Sequence, residues 1–234
     1  MQAEYKTSLT LFSSYFDKND RLSVKSILNI FQDVAANHAE ILNIGYEKML
    51  SKNLFWVLSR IKFDIIVSPV PNQKVFVKTW PHQKGKIDFD RDMLIVDENE
   101  NVLVKATSKW CVIDCKTRQL ARTDGIDYAG EILQDKNYEE KFNKITLPNT
   151  QYEKMFDYQV MFSDLDHNGH MNNTNYANLV TNCVENKKIS HFEINFLNEC
   201  VFNDIINVYK LWENNEEYVF GKVNDKIVFV TKSF

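Results

Sequence analysis

The sequence predicts an α+β fold built twice in one chain, each copy a polar turn and a buried helix followed by an antiparallel sheet. Three observations predict it. The stretch SDLDHNGHMNN at 163–173 has an earlier counterpart, YFDKNDRLSV at 15–24. Behind each stretch, apolar residues recur at helical spacing. Behind each helix, the chain turns to segments rich in Val, Ile, Phe, Thr and Trp, the composition of strands.

The two polar turns align position by position: Asp17 with Asp166, Asn19 with Asn168, Arg21 with His170 and Leu22 with Met171, each pair 149 apart. In the first helix Ile27, Ile30, Phe31, Val34 and Ala35 fall at i, i+3, i+4, i+7 and i+8, one apolar face. The same offset carries them onto Tyr176, Leu179, Val180, Cys183 and Val184. Ser23 caps the first helix and Asn172 or Asn173 the second, because these side chains accept from free N–H groups of the first turn.

Strands of the first half are VLSRIKFDIIV, KVFVKTW and ENVLVKATSKWCVID; those of the second are SHFEINFL, IINVYKLW and KIVFVTKSF. The connection from helix to strand is longer in the first half, so the offset falls to 131, aligning Phe63, Ile65, Asn72 and Val77 with Ile194, Phe196, Asn203 and Val208. Ser68 and Pro69 then stand opposite Glu199 and Cys200. The domains expected are 1–130 and 151–234, joined by a charged linker, 131–150, with Pro148 near its end.

With 234 residues, 44% of them apolar, the chain can bury a substantial core. A net charge of −4 argues against a nucleic-acid partner, which requires a basic surface. No run of about 18 apolar residues occurs, so no membrane span is expected. Cys111, Cys115, Cys183 and Cys200 form no CxxC pair and read as reduced thiols. A cytoplasmic protein is expected.

The second half carries a histidine, a carboxylate and a thiol where the first has arginine, serine and proline. A histidine titrating near neutrality, a carboxylate and an amide are the usual parts of a hydrolytic site. A helix N-terminus beside them supplies N–H donors for a developing oxyanion. Acyl transfer fits these parts. Three other readings compete with it. His167 and His170 with Asp164 and Asp166 offer N and O metal ligands, although no known spacing signature matches. The cluster would otherwise serve the turn and the helix cap alone. A third reading makes Cys200 a nucleophile activated by His170.

In these residues the chain resembles the acyl-acyl carrier protein thioesterases, which share a D-L-D-x-N-x-H-[VM]-N-N run with a Glu-Cys pair downstream. Here they are DLDHNGHMNN at 164–173 and NEC at 198–200. FWVLSRIKFDI, the TW at 79–80 and KATSKWCVIDCKTRQLAR at 105–122 extend the resemblance over the first half. The resemblance implies tandem hot-dog domains and hydrolysis of fatty acyl-acyl carrier protein to free fatty acid, without a cofactor or a metal. It implies a catalytic set of Asp166, Asn168, His170 and Glu199, with Cys200 as the family's other proposed participant. Between the last two, Glu199 is the expectation, because strand neighbours point to opposite faces and Cys200 aligns with Pro69 among apolar positions.

The segment between His170 and Glu199 is shorter than in the plant members, and their transit segment is missing, so a bacterial cytoplasmic enzyme is expected. It would be a monomer with an internal pseudo-dimer, or a homodimer. The first half would hold the acyl tail along Ile27, Ile30, Phe31 and Val34. Lys84, Lys86, Arg91, Lys116, Arg118 and Arg122 are the cations expected to meet an acidic carrier protein. An acyl-CoA thioesterase and a non-catalytic acyl-binding module are the alternatives.

Overall fold

The computed structural model describes residues 3–127, 133, 135–184 and 188–234. The chain divides into two units, Met1–Lys141 and Phe142–Phe234. The expected linker, 131–150, lies partly outside the described residues.

In the first unit, β1 (Tyr5–Leu11) leads through the Asp17 turn into α1 (Val24–Ile41). Ser23 caps the helix, its Oγ accepting from Ser26 N at 3.1 Å. Ile27, Ile30, Phe31, Val34 and Ala35 are all buried, as the apolar face requires. After α2 (Tyr46–Leu50) come β2 (Leu54–Ile65), β3 (Gln73–Pro81), β4 (Asp88–Val96) and β5 (Val102–Asp114). They pair antiparallel in the order β1-β3-β4-β5-β2. Asn72 takes a left-handed φ of 64°, which asparagine tolerates. Its N–H donates to Leu11 O at 2.7 Å, starting β3 in register beside β1.

Arg91 corrects one expectation from the sequence: it is only 7% exposed and is no surface cation. Its Nη1 lies 3.1 Å from both His38 Nδ1 and Thr79 Oγ1. The next residue, Asp92, accepts from Asn137 N at 2.6 Å, and Asn137 also donates to Met93 O and Ala106 O. Tyr138 donates to Asp64 Oδ2 at 2.8 Å, so Asn137 and Tyr138 are tied to the strands of this sheet. Lys84 is likewise engaged, its Nζ donating to Thr123 O at 3.2 Å and Ile126 O at 2.8 Å.

The second unit repeats the plan. β6 (Glu153–Gln159) leads into α3 (Tyr176–Val184), followed by β7 (His191–Phe196), β8 (Ile205–Glu213), β9 (Glu216–Val223) and β10 (Lys226–Ser233). Their order, β6-β8-β9-β10-β7, is the order of the first unit, strand for strand. Asn203 repeats Asn72, with φ 70° and its N–H on Val160 O at 3.0 Å. Val77 pairs with Thr7 in the first unit and Val208 with Phe156 in the second, so the register follows both sequence offsets. Tyr176, Leu179, Val180, Cys183 and Val184 are buried. The Tyr176 ring meets Phe196 and Phe229 edge-on at 5.6 and 5.2 Å, which seats α3 on its sheet. Among the described residues, no helix is long and apolar enough to cross a membrane.

Candidate functional site

Asp166 builds the turn that carries the second-half cluster. Its Oδ1 accepts from Asn168 N at 2.8 Å and from His170 N at 3.3 Å. Its own N–H donates to His170 O at 2.8 Å. Gly169 sits at φ 77°, the left-handed conformation that Asp20 adopts at φ 54° in the first turn. A bridge between Leu165 and Met171 closes the loop.

Backbone pairing then brings the turn to the segment before β8. Met171 N donates to Cys200 O at 2.8 Å, and His170 bridges antiparallel to Val201. Glu199 and Cys200, as neighbours in an extended segment, diverge: the carboxylate side chain is 43% exposed, while Cys200 is fully buried. The His170 ring, 20% exposed, places Nε2 at 3.3 Å from Glu199 Oε2. Burial pushes the Cys200 thiol up to about 11. A neutral buried thiol is a poor nucleophile. The arrangement offers a histidine and carboxylate pair open to solvent, suited to moving a proton to and from water.

The other expected residues take more modest places. The Asn168 side chain lies on the exposed side of the turn. Asn172 caps the following helix, accepting from Thr174 N at 2.9 Å, and Asn175 N is taken by Asn172 O at 2.9 Å. Two N–H groups that the sequence reading left open for an oxyanion are therefore occupied by the cap itself. Asp164 accepts from Tyr158 OH and from Met161 N, both at 2.8 Å, which makes it a fixture of the loop. Burial, with this carboxylate second, pushes the Tyr158 phenol up to about 12. Among the described residues, no group of three or more His, Cys, Asp or Glu is placed to hold a metal ion. Ile27, Ile30, Phe31 and Val34 are at most 6% exposed, inside the first unit's core.

Asp204 is the site neighbour that sequence reasoning passed over: its Oδ2 accepts from Val201 N at 2.9 Å, beside the Glu199 segment. Its signal was present: at the offset of 131 it falls on Gln73, whose Oε1 accepts from Val70 N at 3.0 Å.

Two family models match this chain: the acyl-ACP thioesterase N-terminal domain over residues 2–126 and the C-terminal domain over 148–228. The chain belongs to the acyl-ACP thioesterase family. Among relatives of this acyl-ACP thioesterase family member is an oleoyl-acyl carrier protein thioesterase of Arabidopsis thaliana, 27% identical, over 92% of this chain and 65% of the relative. A palmitoyl-acyl carrier protein thioesterase of the same plant is 30% identical, over 76% of this chain and 48% of its own. The chain thus spans about half to two thirds of the length of these curated relatives. An acyl-ACP thioesterase structure from Bacteroides thetaiotaomicron superposes with a TM-score of 0.87 at 25% identity, covering 99% of this chain and 97% of that one. The 12:0-ACP thioesterase of Umbellularia californica shares the fold, with a TM-score of 0.84 at 19% identity over 100% and 97% of the two chains. Each unit of this family member is a hot-dog domain, a helix laid on an antiparallel sheet.

Proposed function

We propose that the chain hydrolyses fatty acyl-acyl carrier protein, releasing free fatty acid and holo-carrier protein. The observation that carries this reading is the 3.3 Å approach of His170 Nε2 to Glu199 Oε2, in a chain whose two halves both match the family.

In this reading His170 and Glu199 take a proton from water as its oxygen adds to the thioester carbonyl carbon. Asn168, with a backbone N–H, holds the oxyanion that forms, and Asp166 keeps the turn in place. Collapse of the adduct breaks the carbon–sulfur bond, and the proton goes to the departing pantetheine sulfur. The N-terminal domain expected at 1–130 holds the acyl tail along Ile27, Ile30, Phe31 and Val34, and the domain at 151–234 performs the chemistry. The carrier protein docks on exposed Lys86, Lys116, Arg118 and Arg122. The protein works in the bacterial cytoplasm, as a monomer with an internal pseudo-dimer or as a homodimer.

Purified protein assayed against carrier-protein and CoA thioesters of varied chain length tests the reading. Faster turnover of the carrier-protein thioester supports it. A preference for CoA thioesters makes the chain an acyl-CoA thioesterase, and binding without turnover makes it an acyl-binding module; either result overturns it.

A further inference from the structure

We infer that Phe162 and Phe202 form an aromatic lip beside the His170–Glu199 pair and bind the pantetheine arm of the thioester. This inference rests on the reading that the pair hydrolyses a thioester.

Backbone pairing brings the two rings together. Val160 N donates to Asp204 O at 2.8 Å and Asn203 N returns to Val160 O at 3.0 Å, so the loop after β6 lies against the loop before β8. Each loop is pinned by an aspartate: Asp164 Oδ2 accepts from Met161 N at 2.8 Å, and Asp204 Oδ2 from Val201 N at 2.9 Å. The Phe162 and Phe202 rings meet edge-on, their centroids 6.4 Å apart. Phe162 is nevertheless 78% exposed and Phe202 49%, with Met161 and Val201 also exposed beside them. Contiguous apolar surface of this kind marks a binding site more often than a lone exposed side chain does.

The lip adjoins the reacting groups. Val201 bridges antiparallel to His170, so their side chains share a face. Glu199, two residues before Val201 in extended chain, shares it too, and Phe202 follows directly. Charge then narrows the occupant. From 155 to 184 and from 189 to 209 the sequence has no lysine or arginine, while Asp157, Asp164, Asp166, Glu193, Glu199 and Asp204 fall within these stretches. The acidic surface of a carrier protein, or an anionic lipid, meets no attraction from them. An uncharged, partly apolar chain suits such a lip. Pantetheine between its thioester and its phosphate is that chain, with two amides and a gem-dimethyl group. Its thioester has to reach His170 and Glu199, so the arm passes the residues next to them.

The first half of the chain keeps the scaffold without the lip. Asn72 N on Leu11 O matches Asn203 N on Val160 O, and Val70 N on Gln73 Oε1 matches Val201 N on Asp204 Oδ2. At the same offsets Ser13 stands for Phe162 and Pro71 for Phe202, in the half that has Arg21 for His170 and Ser68 for Glu199. The turns therefore do not require the rings. The rings accompany the histidine and the carboxylate.

The test compares wild type with Phe162→Ser, Phe202→Ala and the double variant on one acyl group carried by four thiols: carrier protein, CoA, pantetheine, and N-acetylcysteamine, which ends at the first amide of the arm. Each single change lowers kcat/KM about tenfold on the first three, the scale of partly burying one aromatic ring. The loss falls on KM at unchanged kcat, because the arm is held alike in ground and transition states. On the N-acetylcysteamine thioester every variant matches wild type. Independently of turnover, a non-hydrolysable alkyl pantetheine thioether binds each single variant about tenfold more weakly by calorimetry. Unchanged kinetics on the first three substrates, a loss confined to the carrier-protein thioester, or a loss shared by N-acetylcysteamine overturns the inference. So does a wild-type dimer that the variants split into monomers, which would put a second copy on the lip. Both rings are exposed, so thermal unfolding should match wild type; should Phe202→Ala not fold, Phe162→Ser decides. A wild type that hydrolyses none of the four thioesters, yet binds the thioether through these rings, sinks the functional reading alone. Hydrolysis that the variants leave untouched sinks this inference alone.

Discussion

Asp17 and Asp166, 149 residues apart in the chain, make the same turn bond for bond. Asp17 Oδ1 accepts from Asn19 N at 2.8 Å and Arg21 N at 3.0 Å. Asp166 Oδ1 accepts from Asn168 N at 2.8 Å and His170 N at 3.3 Å. Each backbone N–H returns to the fourth residue along, Arg21 O or His170 O, at 2.8 Å. One scaffold therefore presents an arginine in one unit and a histidine in the other.

From this equivalence, Asp17→Ala and Asp166→Ala should cost similar stability, about 1–3 kcal/mol for two hydrogen bonds. Only Asp166→Ala should also depress hydrolysis. Denaturant unfolding beside a rate assay checks both halves of the statement, and equal loss of rate in the two variants would contradict it.

Phe31 is 1% exposed on the buried face of α1. Phe31→Ala should destabilise the first unit by about 3–5 kcal/mol. The milder Phe31→Leu should fold and move the preferred acyl length, if this face is the bed for the tail. An unchanged length profile across stable variants at Ile27, Ile30, Phe31 and Val34 would reduce them to core alone.

The Cys200 thiol predicts a loss of stability in alkali. Burial raises its pKa in the folded chain to about 11 from 9.0, so above pH 9 the unfolded chain gives up a proton that the folded one keeps. The stabilising contribution is whole below pH 9 and is lost as pH rises toward 11. Cys200→Ala should therefore lose less stability than wild type between pH 8 and 11, by on the order of 2 kcal/mol. Parallel pH dependence of the two proteins would show that the thiol is not buried as described.

Much of this was legible in the sequence because it rests on periodicity and on one-residue conformational demands. The helix faces, the Ser23 and Asn172 caps and the two asparagines Asn72 and Asn203 are local requirements, and a repeat states each of them twice. Arg91 was misjudged because exposure depends on what packs above a strand, here His38 from a helix more than fifty residues earlier. The divergence of Glu199 and Cys200 followed from strand alternation.

Docking of the carrier protein should be read in salt. If exposed Lys86, Lys116, Arg118 and Arg122 meet an acidic partner, hydrolysis of the carrier-protein thioester should fall with ionic strength more than hydrolysis of a small thioester. Arg91→Gln should change neither salt response, since its side chain is buried. Equal salt sensitivity of both substrates would remove the docking surface from the account.

The most direct test of the account is the hydrolysis rate of one acyl-carrier-protein thioester by Glu199→Gln and by Cys200→Ser, each shown to be folded. The account predicts that Glu199→Gln loses about 10²–10⁴ in rate, as removal of an acid–base group does. Cys200→Ser stays close to wild type. A silent Cys200→Ser beside an active Glu199→Gln would contradict it and make the thiol the nucleophile.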